Sequence, residues 1–168
     1  MKLTGISLGS NLGDRVAHLV AGRAAINAIP GTRVTAHSRL YATEPVDVRP
    51  EHQSLPFLNA CLLVQTTLTP EALAAHLHRI ENACGRNRTA DPHAPRTLDL
   101  DLLFVDDRCI QTPDLTVPHP RWSSRRFVVQ PLADLCPDRI LPGDPRTVTG
   151  VLLSLPDRPV VVLFKPDW

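Results

Sequence analysis

With 168 residues, 43% of them apolar and 21% charged, the chain has the composition of a folded globular protein, read as one domain over residues 1–168. A formal net charge of +1 excludes the strong basic excess of a general nucleic-acid binder, and no apolar run approaches the length of a membrane span. Cys61, Cys84, Cys109 and Cys136 are scattered with no Cys-x-x-Cys, which argues against a zinc knuckle or redox pair. Gly5 follows the start too soon for a signal peptide, so the expectation is a cytoplasmic protein with reduced thiols.

Residues 3–8 read as a first strand, ending in the turn Gly9-Ser10-Asn11-Leu12-Gly13-Asp14. A helix over 14–28 follows, with Val16, Leu19, Val20 and Ile26 on its apolar side and Pro30-Gly31 as its stop. Residues 32–41 are a second candidate strand. Pro45, Pro50 and Pro56, among several charges, make 44–56 a long surface loop. Residues 57–67 form a third strand. Thr69-Pro70 then offers an N-cap and an N1 proline to a helix ending at Gly85, with Leu73, Leu77, Ile80 and Cys84 on its buried stripe.

A polar loop over 86–96 leads into a fourth strand around Leu98–Leu103. Beyond it come a turn at Asp106-Asp107, a loop at Pro118-His119-Pro120, a helix near 131–135, another at 147–155 and a last strand at 160–164. The order β-α-β-β-α-β with a C-terminal extension fits an α+β sandwich with a ferredoxin-like core. Strict strand–helix alternation, which a doubly wound fold requires, is missing between 32 and 67.

Two glycine motifs invite functional readings. Gly5-Ile6-Ser7-Leu8-Gly9 has the letters of a nucleophile elbow, but Ser7 falls inside the first strand rather than at a strand-to-helix turn. The Gly9–Asp14 turn lacks the Lys-Ser/Thr ending of a Walker A loop. It is either a plain turn or one whose amides approach a phosphate or planar ligand. His76 and His78 are two apart on a helix and cannot share a site, whereas His78 and Glu81 share a face that is either a cleft wall or plain surface.

The most informative run is Pro95-Arg96-Thr97-Leu98-Asp99-Leu100-Asp101-Leu102-Leu103. Strand periodicity sets Asp99 and Asp101 side by side on one face and Leu98, Leu100 and Leu102 on the other. Like charges so close repel unless a cation lies between them. Arg96 adds a guanidinium suited to phosphate oxygens. A charged edge strand is the plain alternative. Magnesium held by one or two carboxylates and nucleotide phosphates is the chemical one.

Gly9-Ser10-Asn11-Leu12-Gly13, Tyr41-Ala42-Thr43-Glu44-Pro45, Phe57-Leu58-Asn59-Ala60, Arg79-Ile80-Glu81, Gly85-Arg86-Asn87-Arg88, Pro95–Leu103 and Leu115-Thr116-Val117-Pro118-His119-Pro120 occur in this order along nearly the whole chain. Together they resemble the 6-hydroxymethyl-7,8-dihydropterin pyrophosphokinases of folate biosynthesis, which move pyrophosphate from ATP to the pterin hydroxymethyl group and release AMP. The resemblance implies a ferredoxin-like fold, ATP as co-substrate and two Mg2+ ions on Asp99 and Asp101.

By the same resemblance Arg86 and Arg96 hold phosphates and stabilise developing charge. His78, Glu81, Arg88, Leu102, Thr116, His119 and Arg125 match ATP-site positions. Thr43, Pro45, Val46, Asn59 and His93 match pterin-site positions, with Phe57 and Phe127 as a pair stacking on the ring. Where familiar members carry an Arg, a Trp and a Tyr, this chain has Pro92, His93 and Pro120. The implied partners are two small molecules, with no nucleic acid or membrane, and the chain is expected to act as a monomer. The rivals are a metal-dependent phosphohydrolase or nucleotidyltransferase on the same Asp pair, and a ferredoxin-like regulatory module without catalysis.

Overall fold

The computed structural model describes residues 1–44, 56–85 and 96–168. Along the chain these form β1 (Lys2–Ser10), α1 (Arg15–Asn27), β2 (Thr32–His37), β3 (Leu40–Thr43), β4 (Phe57–Thr66), α2 (Pro70–Ala83) and β5 (Asp99–Val105). They continue with β6 (Ile110–Gln111), β7 (Thr116–Val117), a 3-10 turn at Trp122–Ser124, α3 (Arg126–Ala133), α4 (Val148–Ser154) and β8 (Val161–Lys165). Among the described residues no helix is long and apolar enough to cross a membrane.

β1 is buried on both faces from Thr4 onward because it lies inside the sheet, between β5 and β4. The order is β5-β1-β4-β3-β8, with β2 also on β4, and every pairing in it is antiparallel. This is the ferredoxin-like arrangement of an α+β sandwich, extended at one edge by the C-terminal strand.

Local chemistry sets the helix ends. Asp14 caps α1 by accepting from the Ala17 N–H, and Thr69 caps α2 by accepting from the Ala72 N–H, with Pro70 following. The buried side of α1 is Leu19, Gly22 and Ile26, whereas Val20, expected there, is exposed. Gly22 takes that place because a Cβ on it would come within 2.9 Å of Leu98, so the helix lies directly on the sheet. On α2 the buried stripe is Leu73, Leu77 and Glu81, with Ile80 and Cys84 half-buried beside it.

Two further expectations are corrected, and one element is new. The strand expected over 32–41 is two strands, because Ser38 interrupts it. The Ser38 hydroxyl accepts from the Cys61 N–H at 2.9 Å and its own N–H donates to the Cys61 carbonyl, so a side chain replaces one ladder partner. The helix expected near 131–135 starts at Arg126 and carries Pro131 inside it. Its buried Val128, Val129 and Leu132 hold it despite the donor that Pro131 lacks. The β6–β7 pair, only two residues on each side, has no periodicity long enough to read.

Two cores flank the sheet. Ile6, Leu8, Leu58, Leu62, Leu98, Leu100 and Leu102 pack under α1 and α2, while Cys61, Leu103 and Phe104 pack with Trp122 and the residues of α3 and α4. A register shift in the β1–β5 ladder pairs Gly5 with Phe104 and Ile6 with Leu102, which leaves Leu103 as the extra residue. Ahead of that bulge the alternation of β5 is regular. Ser7 sits mid-strand opposite both Cys61 and Asp101, so the nucleophile-elbow letters describe no elbow. Gly5 instead makes room for the Phe104 ring, which a Cβ there would overlap.

Candidate active site

Register builds the site. Gly9 pairs with Asp99 on one side and with Asn59 on the other, and Asn59 pairs with Tyr41. One transverse row therefore reads Asp99–Gly9–Asn59–Tyr41. The neighbouring row reads Asp101–Ser7–Cys61. Side chains alternate along a strand, so Asp99 and Asp101 share the face away from α1 and α2.

Positive groups surround the two carboxylates. Arg96 Nη1 donates to Asp99 Oδ2 at 2.8 Å, and the two side chains are 24% and 22% exposed. Asp101 Oδ2 faces Arg125 Nη1 at 3.9 Å and His119 Nε2 at 4.0 Å. His119 Nδ1 accepts from the Arg121 N–H at 3.1 Å, which leaves the proton of the neutral ring on Nε2, toward Asp101. Burial pushes the His119 pKa below its ordinary value, Arg125 and Arg121 add to that, and Asp101 opposes it. Arg125 also lies 5.6 Å from the centroid of the Phe127 ring, at the start of α3.

Beside Asp101 a cavity of about 250 Å³ opens between α2, β5 and the β6–β7 hairpin. It is lined by Leu77, His78, Leu100, Asp101, Leu102, Leu115, Thr116 and His119, among others. His78, Leu102, Thr116 and His119, which the sequence assigned to one ligand, thus meet around one space. Glu81 lies about one turn beyond His78 on α2. It is 1% exposed and its Oε1 accepts from the Leu100 N–H at 2.8 Å, a bond that fixes the strand bearing the carboxylates.

Across the row, Asn59 is 4% exposed and donates through Nδ2 to Thr43 Oγ1 at 2.7 Å. Phe57 pairs with Thr43 at the end of β4. Pro45, Val46, Arg86, Arg88, Pro92 and His93 lie outside the described residues.

Two residues of the quoted motifs have a part in the site that the motifs do not specify. Gly9 is one: a Cβ there would meet Asn59 Oδ1 at 3.1 Å, and Asp99 and Phe57 at 3.9 Å, so its bare Cα keeps open the gap between carboxylate and amide. Only the register reveals this. Leu115 is the other, an apolar cavity wall whose hairpin was too short to foresee.

An antiparallel α+β sandwich with a strand-borne carboxylate pair, arginines beside it and a cavity at its flank has the parts that phosphoryl-transfer chemistry needs. The sequence profile described as 7,8-dihydro-6-hydroxymethylpterin-pyrophosphokinase matches residues 5–137. A 2-amino-4-hydroxy-6-hydroxymethyldihydropteridine pyrophosphokinase from Bacillus subtilis is 40% identical over 131 residues, covering 78% of this chain and 76% of that protein. Its namesake from Haemophilus influenzae is 35% identical over 158 residues, covering 94% and 96%. A solved HPPK-DHPS structure in complex with substrates superposes with a TM-score of 0.72 at 12% identity, over 91% of this chain and 43% of that longer one, a likeness of fold. The chain belongs to the 7,8-dihydro-6-hydroxymethylpterin pyrophosphokinase family. The protein is accordingly a diphosphokinase of folate biosynthesis, moving a pyrophosphoryl group from ATP to the hydroxymethyl dihydropterin.

Proposed function

We propose that this transfer depends on magnesium held by Asp99 and Asp101, with ATP along the β5 side of the site and the pterin on the Asn59 side. The donor set suits that metal: two hard carboxylate groups on one stiff strand. Magnesium is usually held by one or two carboxylates, with phosphates and water completing its shell. Asp99 and Asp101 would hold two such ions, which would offset the charge of the phosphates.

The chain's own groups supply position and charge. The cavity beside Asp101 accepts the nucleoside against Leu102 and Leu115, with His78 and Thr116 at its walls. Arg96 and Arg125, with Arg86 and Arg88 from the neighbouring segment, hold phosphate oxygens and meet the charge that grows on them during transfer. Asn59 and Thr43 read the pterin edge, Phe57 and Phe127 pack on its ring, and Pro45, Val46 and His93 complete its pocket.

The pterin hydroxyl oxygen bonds to the β-phosphorus as the bond to the α,β-bridging oxygen breaks. AMP leaves, and the hydroxyl proton passes to solvent. No protein nucleophile is required, which agrees with Ser7 being a mid-strand residue. One chain supplies every group named, so a monomer acting on two small molecules suffices.

The observation that carries this reading is that Asp101 lines the cavity and lies two residues along β5 from Asp99, whose row across the sheet contains Asn59. Turnover measured against added magnesium tests it. Activity should vanish with a chelator and return with magnesium in the wild type, and Asp99→Asn should need far more metal. Full turnover in the chelator would refute the metal assignment.

A further inference from the structure

We infer that Asn11 is a positioning residue for the transfer, acting through Arg96. The β1–β5 ladder has its last rung at Gly9 and Asp99, so Arg96 lies three residues beyond it. Asn11 holds Arg96 there with both of its own polar groups. Its Oδ1 accepts from the Arg96 N–H at 2.7 Å, and its backbone N–H donates to the Arg96 carbonyl at 3.1 Å. One residue thus grips the backbone of Arg96 at both ends, its side-chain amide standing in for a missing strand partner.

The next residue is pinned from the other side. Thr97 Oγ1 donates to the Cys84 carbonyl, at the end of α2, at 2.6 Å. Between these anchors the Arg96 side chain reaches Asp99 Oδ2 at 2.8 Å. An arginine side chain has many rotamers, so a backbone set loosely would spread its guanidinium over several positions. A rigid origin narrows that spread, and misplacement of a reacting group costs rate steeply.

A second feature points to this role rather than to fold stability. Asn11 is 3% exposed, and its Nδ2 has no hydrogen-bond acceptor among the described residues. A buried donor left unmade opposes folding. The amide is explained by what its Oδ1 does for Arg96.

This inference rests on the proposed role of Arg96, and a double-mutant cycle separates the two. The variants are Asn11→Ala, Arg96→Ala and their combination, with kcat, both KM values and the thermal midpoint measured for each. Asn11→Ala should lower kcat on the order of 10²-fold. Both KM values should move less than about threefold. In the Arg96→Ala background the same change should cost no further kcat, because the group it positions is gone. Multiplicative losses, or a lowered midpoint with kcat kept, would make Asn11 a structural residue only.

Asn11→Asp keeps the accepting oxygen and the shape, and its own kcat tests the inference if the alanine variant does not fold. It should retain most of kcat; a loss as deep as that of Arg96→Ala overturns the inference. Full kcat in Arg96→Ala would overturn the role of Arg96 itself, a different outcome from a silent Asn11.

Discussion

Asp99 and Asn59 stand on opposite sides of one residue, Gly9, which pairs with both through the two ladders of β1. A carboxylate suited to metal and an amide suited to a heterocycle edge are thereby set on one row, with no side chain between them. Substituting Gly9→Ala would put a Cβ 3.1 Å from Asn59 Oδ1 and 3.9 Å from Phe57. We expect KM for the pterin to rise about tenfold, roughly one misplaced hydrogen bond, and KM for ATP to stay near its wild-type value. Steady-state kinetics with each substrate varied checks this, and an equal rise in both would mean that the row does not divide the substrates.

Arg96 donates to Asp99 at the side of the row where the phosphates are proposed to lie. Arg96→Ala should lower kcat on the order of 10²- to 10³-fold, as when a donor to developing charge is lost. ATP affinity, measured by titration calorimetry, should fall far less. Equal losses would assign Arg96 to ground-state binding alone.

Tyr41 lies at the far end of the row, 4% exposed, and its hydroxyl donates to Asp134 at the end of α3 at 2.9 Å. Burial first, then the Asp134 carboxylate, pushes its pKa from 10.0 up to about 12. The folded state therefore favours the neutral phenol. Its contribution is complete below pH 10 and is lost as pH rises from 10 toward 12. Thermal midpoints of wild type and Tyr41→Phe should differ by a constant amount up to about pH 9.5 and converge above it. A difference that persists unchanged through pH 12 would contradict the assignment.

Gly5 lies against the Phe104 ring in the second core, and the Arg139 guanidinium carbon lies 4.6 Å from that ring's centroid. Gly5→Ala should destabilise the protein by about 1–3 kcal/mol, the usual cost of overpacking a filled core. Chemical denaturation measures it. Phe104→Leu combined with Gly5→Ala should restore part of the loss, since the obstructing ring is then absent.

Much of this was legible in the sequence where local chemistry and local structure agree. Asp14 and Thr69-Pro70 mark helix starts because capping involves only the next three residues. The leucines and aspartates of β5 sort to two faces because strand periodicity is a property of the chain alone. What stayed hidden depends on partners distant in sequence. Ser38 breaks a strand through its bonds to Cys61, and Val20 loses its place to Gly22 because Leu98 presses there. The bond between Glu81 and the Leu100 N–H likewise joins residues on two different elements. Gly9 and Asn11 read as turn residues, and only the ladder and the Arg96 backbone give them tasks.

The most direct measurement is the identity of the two products. Wild-type protein would be incubated with ATP, magnesium and 6-hydroxymethyl-7,8-dihydropterin, and the mixture followed by phosphorus NMR. Attack at the β-phosphorus gives AMP and a pterin diphosphate in equal amounts, with neither forming when the pterin is omitted. ADP with a pterin monophosphate, or ATP breakdown that ignores the pterin, would contradict the account.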